Sequence, residues 1–292
     1  MLNEYYWIAI TITVIAFTSI NLFSKAFLNK KNLTISYRSF IPFYLAFSAA
    51  AAVIVALFLV HSISISPDGL AYAALMGFIY TIAAYLVFYS LENEQVMIIT
   101  TITSSQFIIL SFLSAVIFIR ALVLKDTMLT VLMLAGVILL SIDRKRKLKL
   151  SKFALLAFLG TIAWVIMWLI FYATIETGIS PFVYYAWLAV FAAIFSAVFS
   201  VVLRVKIADL KSPIKSRKLT CYMLSAGVAS GVGTLMFSFA YSMNSVLSPL
   251  FTQISIPSVA ILAFLLFRDR IKVTEIIGAA AIIVSVFLLV LA

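Results

Sequence analysis

"DRKRKLKLSK", residues 143–152, places six of the chain's 21 basic residues in ten positions. Taken alone, such a run reads as a phosphate-binding patch of the kind nucleic-acid proteins display. Its flanks change the reading. "TVLMLAGVILLS" (130–141) precedes it and "FALLAFLGTIAWVIMWLIFYA" (153–173) follows it. A short charged tether between two apolar stretches of helical length marks a membrane face. No nucleic-acid partner is expected from it, and anionic lipid headgroups are its expected contact.

Composition supports that reading over the whole chain. Of the 292 residues 65% are hydrophobic and 11% charged, with a mean hydropathy of +1.21. Soluble domains carry about 25% charged residues. A single cysteine, Cys221, excludes an intramolecular disulfide, and His61 is the only histidine, so neither a thiolate nor a two-histidine metal centre is expected. No cofactor is expected either. The stretch "YYWIAITITVIAFTSINLFSKAF" (5–27) exceeds a signal-peptide core and ends in no A-x-A site, so it reads as a first span.

A helix needs about 20 apolar residues to cross the hydrocarbon layer. Ten stretches qualify: 5–28, 38–60, 68–91, 95–118, 122–142, 153–175, 180–204, 219–243, 246–267 and 273–291. Short polar interruptions such as "SISPDG" and "ETGISP" separate them, leaving no room for a soluble domain. Backbone in lipid must satisfy its own hydrogen bonds, so helices are expected throughout.

The basic residues sort by loop. Lys25, Lys30, Lys31 and Arg38 flank the first loop, and six lie in or beside the run at 143–152. Arg204, Lys206, Lys211, Lys215, Arg217 and Lys218 follow the seventh stretch, and Arg268, Arg270 and Lys272 follow the ninth. Those 19 share one side, against Arg120 and Lys125 on the other. Cytoplasmic loops are enriched in Lys and Arg, which puts the odd-numbered loops in the cytoplasm and both termini outside the plasma membrane.

The two halves also echo each other. "YSLEN" (89–93) ends the third stretch and "YSMNS" (241–245) the eighth. "FIRALVLKDTMLTVLMLAGVILLS" (118–141) resembles "LFRDRIKVTEIIGAAAIIVSVFLLV" (266–290), at a spacing near 150. Five spans per half would insert the second half upside down. The expected fold is therefore an all-α integral membrane protein of ten transmembrane helices, two inverted five-helix repeats around a central cavity. The repeats are residues 1–142 and 153–292, joined by the basic loop 143–152.

Two motifs add a resemblance. "FTSINLFSK" (17–25) is similar to the W-G-x6-K pattern found in the first helix of the drug/metabolite transporter superfamily, with Phe17 and Thr18 in place of Trp and Gly and Lys25 retained. "FRDRIKVTEIIGAAAIIVSV" (267–286) resembles the G-E-R-hydrophobic segment that ends each half in the ten-helix EamA-like branch, with Asp269 in place of Glu. The resemblance spans essentially the whole chain. It implies an exporter or exchanger of small metabolites, and a layout with both termini in the cytoplasm, opposite to the charge distribution.

Candidate site residues are polar groups at membrane depth, where they are costly unless used. The central parts of the ten stretches hold no Asp, Glu or Arg. Lys25, with Asn21 one turn earlier, either snorkels to the interface or faces the cavity, where it could gate by pairing with Glu92 or Glu94. "QVMIITTITSSQF" (95–107) offers Thr101 and Ser105 at i,i+4; ordinary backbone bonding by these hydroxyls is the alternative. In "SVLSPLFTQISIPSV" (245–259), Pro249 and Pro257 each remove a donor, and Gln253 lies four residues from both. Gln253, Ser248 and the carbonyls freed by the prolines are expected to face the cavity, with Pro249 and Pro257 as gating residues; a packing kink without ligand contact is the alternative. Ser238 and Asn244 lie on the eighth stretch, whose Gly227 and Gly231 form a G-x-x-x-G read as internal packing. Trp164, Trp168 and Tyr172 form an aromatic row near mid-span, to stack on a substrate or to fill lipid-facing surface; Tyr80 is similar.

A neutral, hydroxyl-rich and aromatic lining suits a neutral or zwitterionic amino acid or a hydrophobic amine, moved by alternating access. A nucleotide sugar or other phosphorylated metabolite would want several cations in the cavity. Enzyme chemistry needs a base, a metal cluster or an activated nucleophile, and the spans supply none. A scaffold or lipid scramblase remains the non-transporting alternative. A small-molecule substrate, membrane lipid, and a monomer or homodimer complete the expectation.

Overall fold

The computed structural model describes residues 4–28, 36–93, 96–118, 124–141, 151–205, 217–267 and 273–290. Among them are eleven α-helices and no strand. In chain order these are α1 (Glu4–Leu28), α2 (Tyr37–Val60), α3 (Pro67–Asn93), α4 (Val96–Ile117), α5 (Leu124–Ser141), α6 (Lys152–Ile175), α7 (Pro181–Val202), α8 (Arg217–Met243), α9 (Leu247–Thr252), α10 (Ser255–Phe267) and α11 (Val273–Val290). Five of them, α2, α3, α6, α7 and α8, are long and apolar enough to cross a membrane. The chain is an all-α protein of membrane type.

Helix ends follow local chemistry. Ser151 Oγ accepts from Ala154 N at 3.1 Å, and Ser66 Oγ accepts from Gly69 N at 3.1 Å, capping the starts of α6 and α3. Pro67 and Pro181 open α3 and α7, where a missing N–H costs nothing. His61 closes α2 in a left-handed conformation, φ 56°, with its N–H on Leu57 O.

One expectation is corrected. The stretch 246–267 is not a continuous helix: it breaks between Thr252 and Ser255 into α9 and α10. Pro257 cannot donate to Gln253 O, so the turn tightens instead. Gln253 N bonds Leu250 O at 3.1 Å, Ile254 N bonds Phe251 O at 3.2 Å, and Ile256 N bonds Gln253 O at 3.0 Å.

Helix neighbours come in matched pairs. α1 packs on α8 as α6 packs on α3, and α2 packs on α8 as α7 packs on α3. α4 lies against α6 as α10 lies against α1. Further contacts join α2 to α7, α5 to α11, and α4 to α9. The match extends to residues. Gly77 of α3 lies against Leu188, Phe191 and Ala192 of α7, while Gly227 of α8 lies against Tyr44, Phe47 and Ser48 of α2. A methyl group at Gly77 would meet Phe191 Cβ at 2.7 Å, and one at Gly227 would meet Phe47 Cβ at 2.6 Å. Lipid offers no hydrophobic drive for helix association, so close approach at small residues supplies the packing energy. The G-x-x-x-G of α8 is thus internal packing.

The two ends of the bundle differ. At one end Tyr37 N donates to Glu92 Oε2 at 3.2 Å, the Tyr37 and Tyr89 rings lie 5.2 Å apart, and Tyr89 meets Phe153 beside Lys152. The starts of α2 and α6 and the end of α3 therefore share a face. At the other end Trp187 Nε1 donates to Ile63 O at 2.7 Å.

Candidate functional site

Aromatic rings fill the centre, where α1, α4, α6 and α8 converge. Phe107 of α4 stacks on Phe17 of α1, centroids 5.7 Å apart, and meets Phe237 of α8 edge-on at 5.4 Å. Trp168 of α6 adds its edge contact to Phe237 at 4.7 Å and lies parallel to Tyr185 of α7 at 6.4 Å. Tyr172 then meets Tyr241 at 5.5 Å. Trp168 and Tyr172 are 4% and 2% exposed, so the aromatic row of α6 faces the bundle interior, not lipid. Trp164, one turn earlier, packs on Tyr80 of α3 at 6.1 Å, and its Nε1 is buried without a partner in the protein.

Beside the rings lies a hydroxyl cluster that sequence reasoning missed. The hydroxyls of Tyr44 and Tyr80 approach Ser230, and that of Tyr185 approaches Thr234 and Ser48. Six hydroxyls from α2, α3, α7 and α8 thus meet inside the bundle. The pairs Tyr44/Ser48 and Ser230/Thr234 each stand one helical turn apart, a spacing that could have flagged them. Tyr80 stays partly accessible, whereas Tyr44, Ser48, Tyr185, Ser230 and Thr234 are buried. Tyr80, with Trp164 packed on it, and Trp168, parallel to Tyr185, are the predicted residues standing where this cluster borders the rings.

The helix break forms the third part. Gln253 is 1% exposed, and its Nε2 donates to Ser104 O of α4 at 3.0 Å. Its side-chain oxygen is buried and meets no donor among the described residues. Ser248 Oγ donates to Ala240 O at 2.8 Å and lies 3.2 Å from Tyr6 Oη, bracing α9 against α8 and α1. Pro249 O accepts from Thr252 Oγ1 at 2.7 Å, and Pro257 stands in the first turn of α10. Opening a helix start would ordinarily offer donors to an anion. Here Pro257 has no N–H, and Ile256 N and Ser258 N are already bonded to Gln253 O and Ile254 O, so fewer backbone donors are left than at an ordinary helix start.

Other predicted residues stand elsewhere. Ser105 Oγ bonds Ile102 O at 2.6 Å and Ser238 Oγ bonds Leu235 O at 2.6 Å, both within their own helices. Asn244 Oδ1 accepts from Val246 N at 3.1 Å and Leu247 N at 2.9 Å, which fixes the turn into α9. Glu92 is exposed at the bundle end, holding the start of α2. The side chains of Asn21, Lys25, Glu94 and Thr101 lie outside the described residues. Among the described residues no group of His, Cys, Asp or Glu is placed to hold a metal ion.

No family model matches the chain, and no curated protein matches it. Solved structures do. One, described only as a crystal structure of a protein, superposes with a TM-score of 0.74 over 96% of this chain and 97% of its own, at 13% identity. The likeness establishes a shared fold along the full length.

Proposed function

We propose that the chain is a secondary transporter of a small organic metabolite, of the drug/metabolite transporter type, acting by alternating access in the plasma membrane. The observation that carries this is the broken helix α9–α10. Irregular backbone within a membrane bundle is tolerated where it serves a cavity, and discontinuous helices are a recurrent way of building transport sites. Gln253 holds this break to α4 while keeping one acceptor unspent.

The matched neighbour pattern supports ten spans in two inverted halves, related by the exchange of α1–α5 with α6–α11. Two such halves can rock about the rings and hydroxyls between them and expose the site to either side in turn. A neutral or zwitterionic amino acid or a hydrophobic amine fits a lining of tyrosine, serine, tryptophan and glutamine. No enzymatic step is proposed, since the central groups are neutral and unactivated. The charge distribution favours the basic end in the cytoplasm, with both termini outside.

Counterflow in proteoliposomes tests the reading. Vesicles loaded with one unlabelled amino acid or amine should take up the labelled compound saturably, and Gln253→Ala should abolish that uptake. Absence of flux for every compound class, with folded protein, would overturn it.

A further inference from the structure

Gln253 has a counterpart. "SSQF" (104–107) in α4 and "FTQI" (251–254) at the break put Gln106 and Gln253 147 residues apart, in the two members of a packed pair. Both follow a hydroxyl residue, and both hydroxyls are spent identically: Ser105 on Ile102 O and Thr252 on Pro249 O, each three residues back. Neither hydroxyl is left to serve the neighbouring amide. Gln106 Oε1, like Gln253 Oε1, is buried without a hydrogen-bond partner among the described residues. Two buried side-chain acceptors at matched positions are more than packing tolerates by accident, because a core gains by pairing or deleting such atoms.

What could satisfy them must bring positive charge or hydrogens. Ser104 O takes one amide hydrogen of Gln253, and the backbone N–H groups of Gln253, Ile254 and Ile256 are engaged. Phe107, next to Gln106, presents its ring within the aromatic group of Phe17, Phe237 and Trp168, whose faces favour cations.

We propose that Gln106 and Gln253 are a matched pair of acceptors, one in each half, for a desolvated monovalent cation. The source of that charge is the ammonium head of the transported compound or an inorganic ion such as Na+ that accompanies it. The inference rests on the transport reading of the same site, yet its test needs no flux.

Binding to the purified full chain in nanodiscs is followed by intrinsic tryptophan fluorescence and by thermal shift. The probes are n-hexylamine, its neutral match 1-hexanol, and NaCl against choline chloride. A saturable response to hexylammonium but not hexanol, weakened at least tenfold in Gln253→Met and in Gln106→Met and retained in Gln253→Glu, supports an organic-ammonium site. A glutamine-dependent response to Na+ alone supports the site and assigns it to an inorganic ion. Equal responses to amine and alcohol, or affinities untouched by either methionine variant, overturn the proposal and leave buried water as the acceptors' partner. Should binding hold while counterflow fails, the transport reading falls and the cation site stands.

Discussion

Ser114 Oγ and Tyr241 Oη lie 2.7 Å apart, joining α4 to α8 across the centre of the bundle. Both residues are fully buried, so the contact links the two halves of the chain at a place water does not reach. A buried hydroxyl pair of this kind contributes about 1 kcal/mol net, and measured values between membrane helices average nearer 0.6 kcal/mol. Ser114→Ala and Tyr241→Phe should each destabilise modestly, with a coupling near 1 kcal/mol in a double-mutant cycle read by denaturation in mixed micelles. Additive losses would mean that each hydroxyl is served equally well elsewhere.

Close packing of α8 on α2 gives a sharper test. A methyl group at Gly231 would collide with Ser48 O, a backbone atom that cannot step aside, and would press on Ala51 Cβ at 3.1 Å. Overpacking of a tight interface costs roughly 1–3 kcal/mol, and Gly231→Ala belongs at the upper end. Gly178 differs, because nothing lies within 4 Å of an added methyl and only its φ of 95° resists substitution. Gly178→Ala should cost about 1–2 kcal/mol from backbone strain alone. Gly231→Ala should therefore melt at the lower temperature and lose folded yield on size exclusion, and the reverse order would contradict the packing described here.

Much of this architecture was legible because hydropathy and backbone satisfaction in lipid leave so few options. Nine of the ten apolar stretches became single helices with ends within a few residues of the serines, prolines and loop residues that cap them. The tenth case failed in an informative way. Pro249 and Pro257 were visible, but whether two prolines kink a helix or split it depends on what holds the broken turn: Ile256 N takes the carbonyl of Gln253 that Pro257 frees, and the Gln253 side chain ties the break to Ser104 O across 149 residues of sequence. The site was legible only in part for the same reason. Tyr44, Tyr185 and Thr234 look like ordinary helix residues until three other helices are laid against them. Conversely, Ser105 and Ser238 looked available, yet their hydroxyls bond their own helix, a choice that local sequence leaves open.

Orientation follows from charge and is open to direct measurement. In a Cys221→Ser background, single cysteines at Ser62 and Thr177, both exposed on the sparsely charged side, should react with a membrane-impermeant maleimide in intact cells. A cysteine at Ser151, beside the basic run, should react only after permeabilisation. The opposite labelling would restore the arrangement the family resemblance implies, with both termini in the cytoplasm, and would require the 19 basic residues to be read as a site and not as a topogenic signal.

Pro257→Ala separates function from stability at the break. The substitution returns an N–H where α9 and α10 part, so that a bond to Gln253 O can form and the helix can run on. Interior proline costs a helix about 3 kcal/mol, and part of that should be recovered as a higher melting temperature. The same repair would turn Gln253 away from Ser104 O and erase the irregular backbone that leaves its side-chain oxygen unpaired. Transport in counterflow should then fall at least tenfold while the protein becomes more stable, the opposite signs that distinguish a functional break from a packing defect. A stabilised variant with unchanged transport would show that the break is incidental and that the rings and hydroxyls of α3, α6, α7 and α8 carry the site without it.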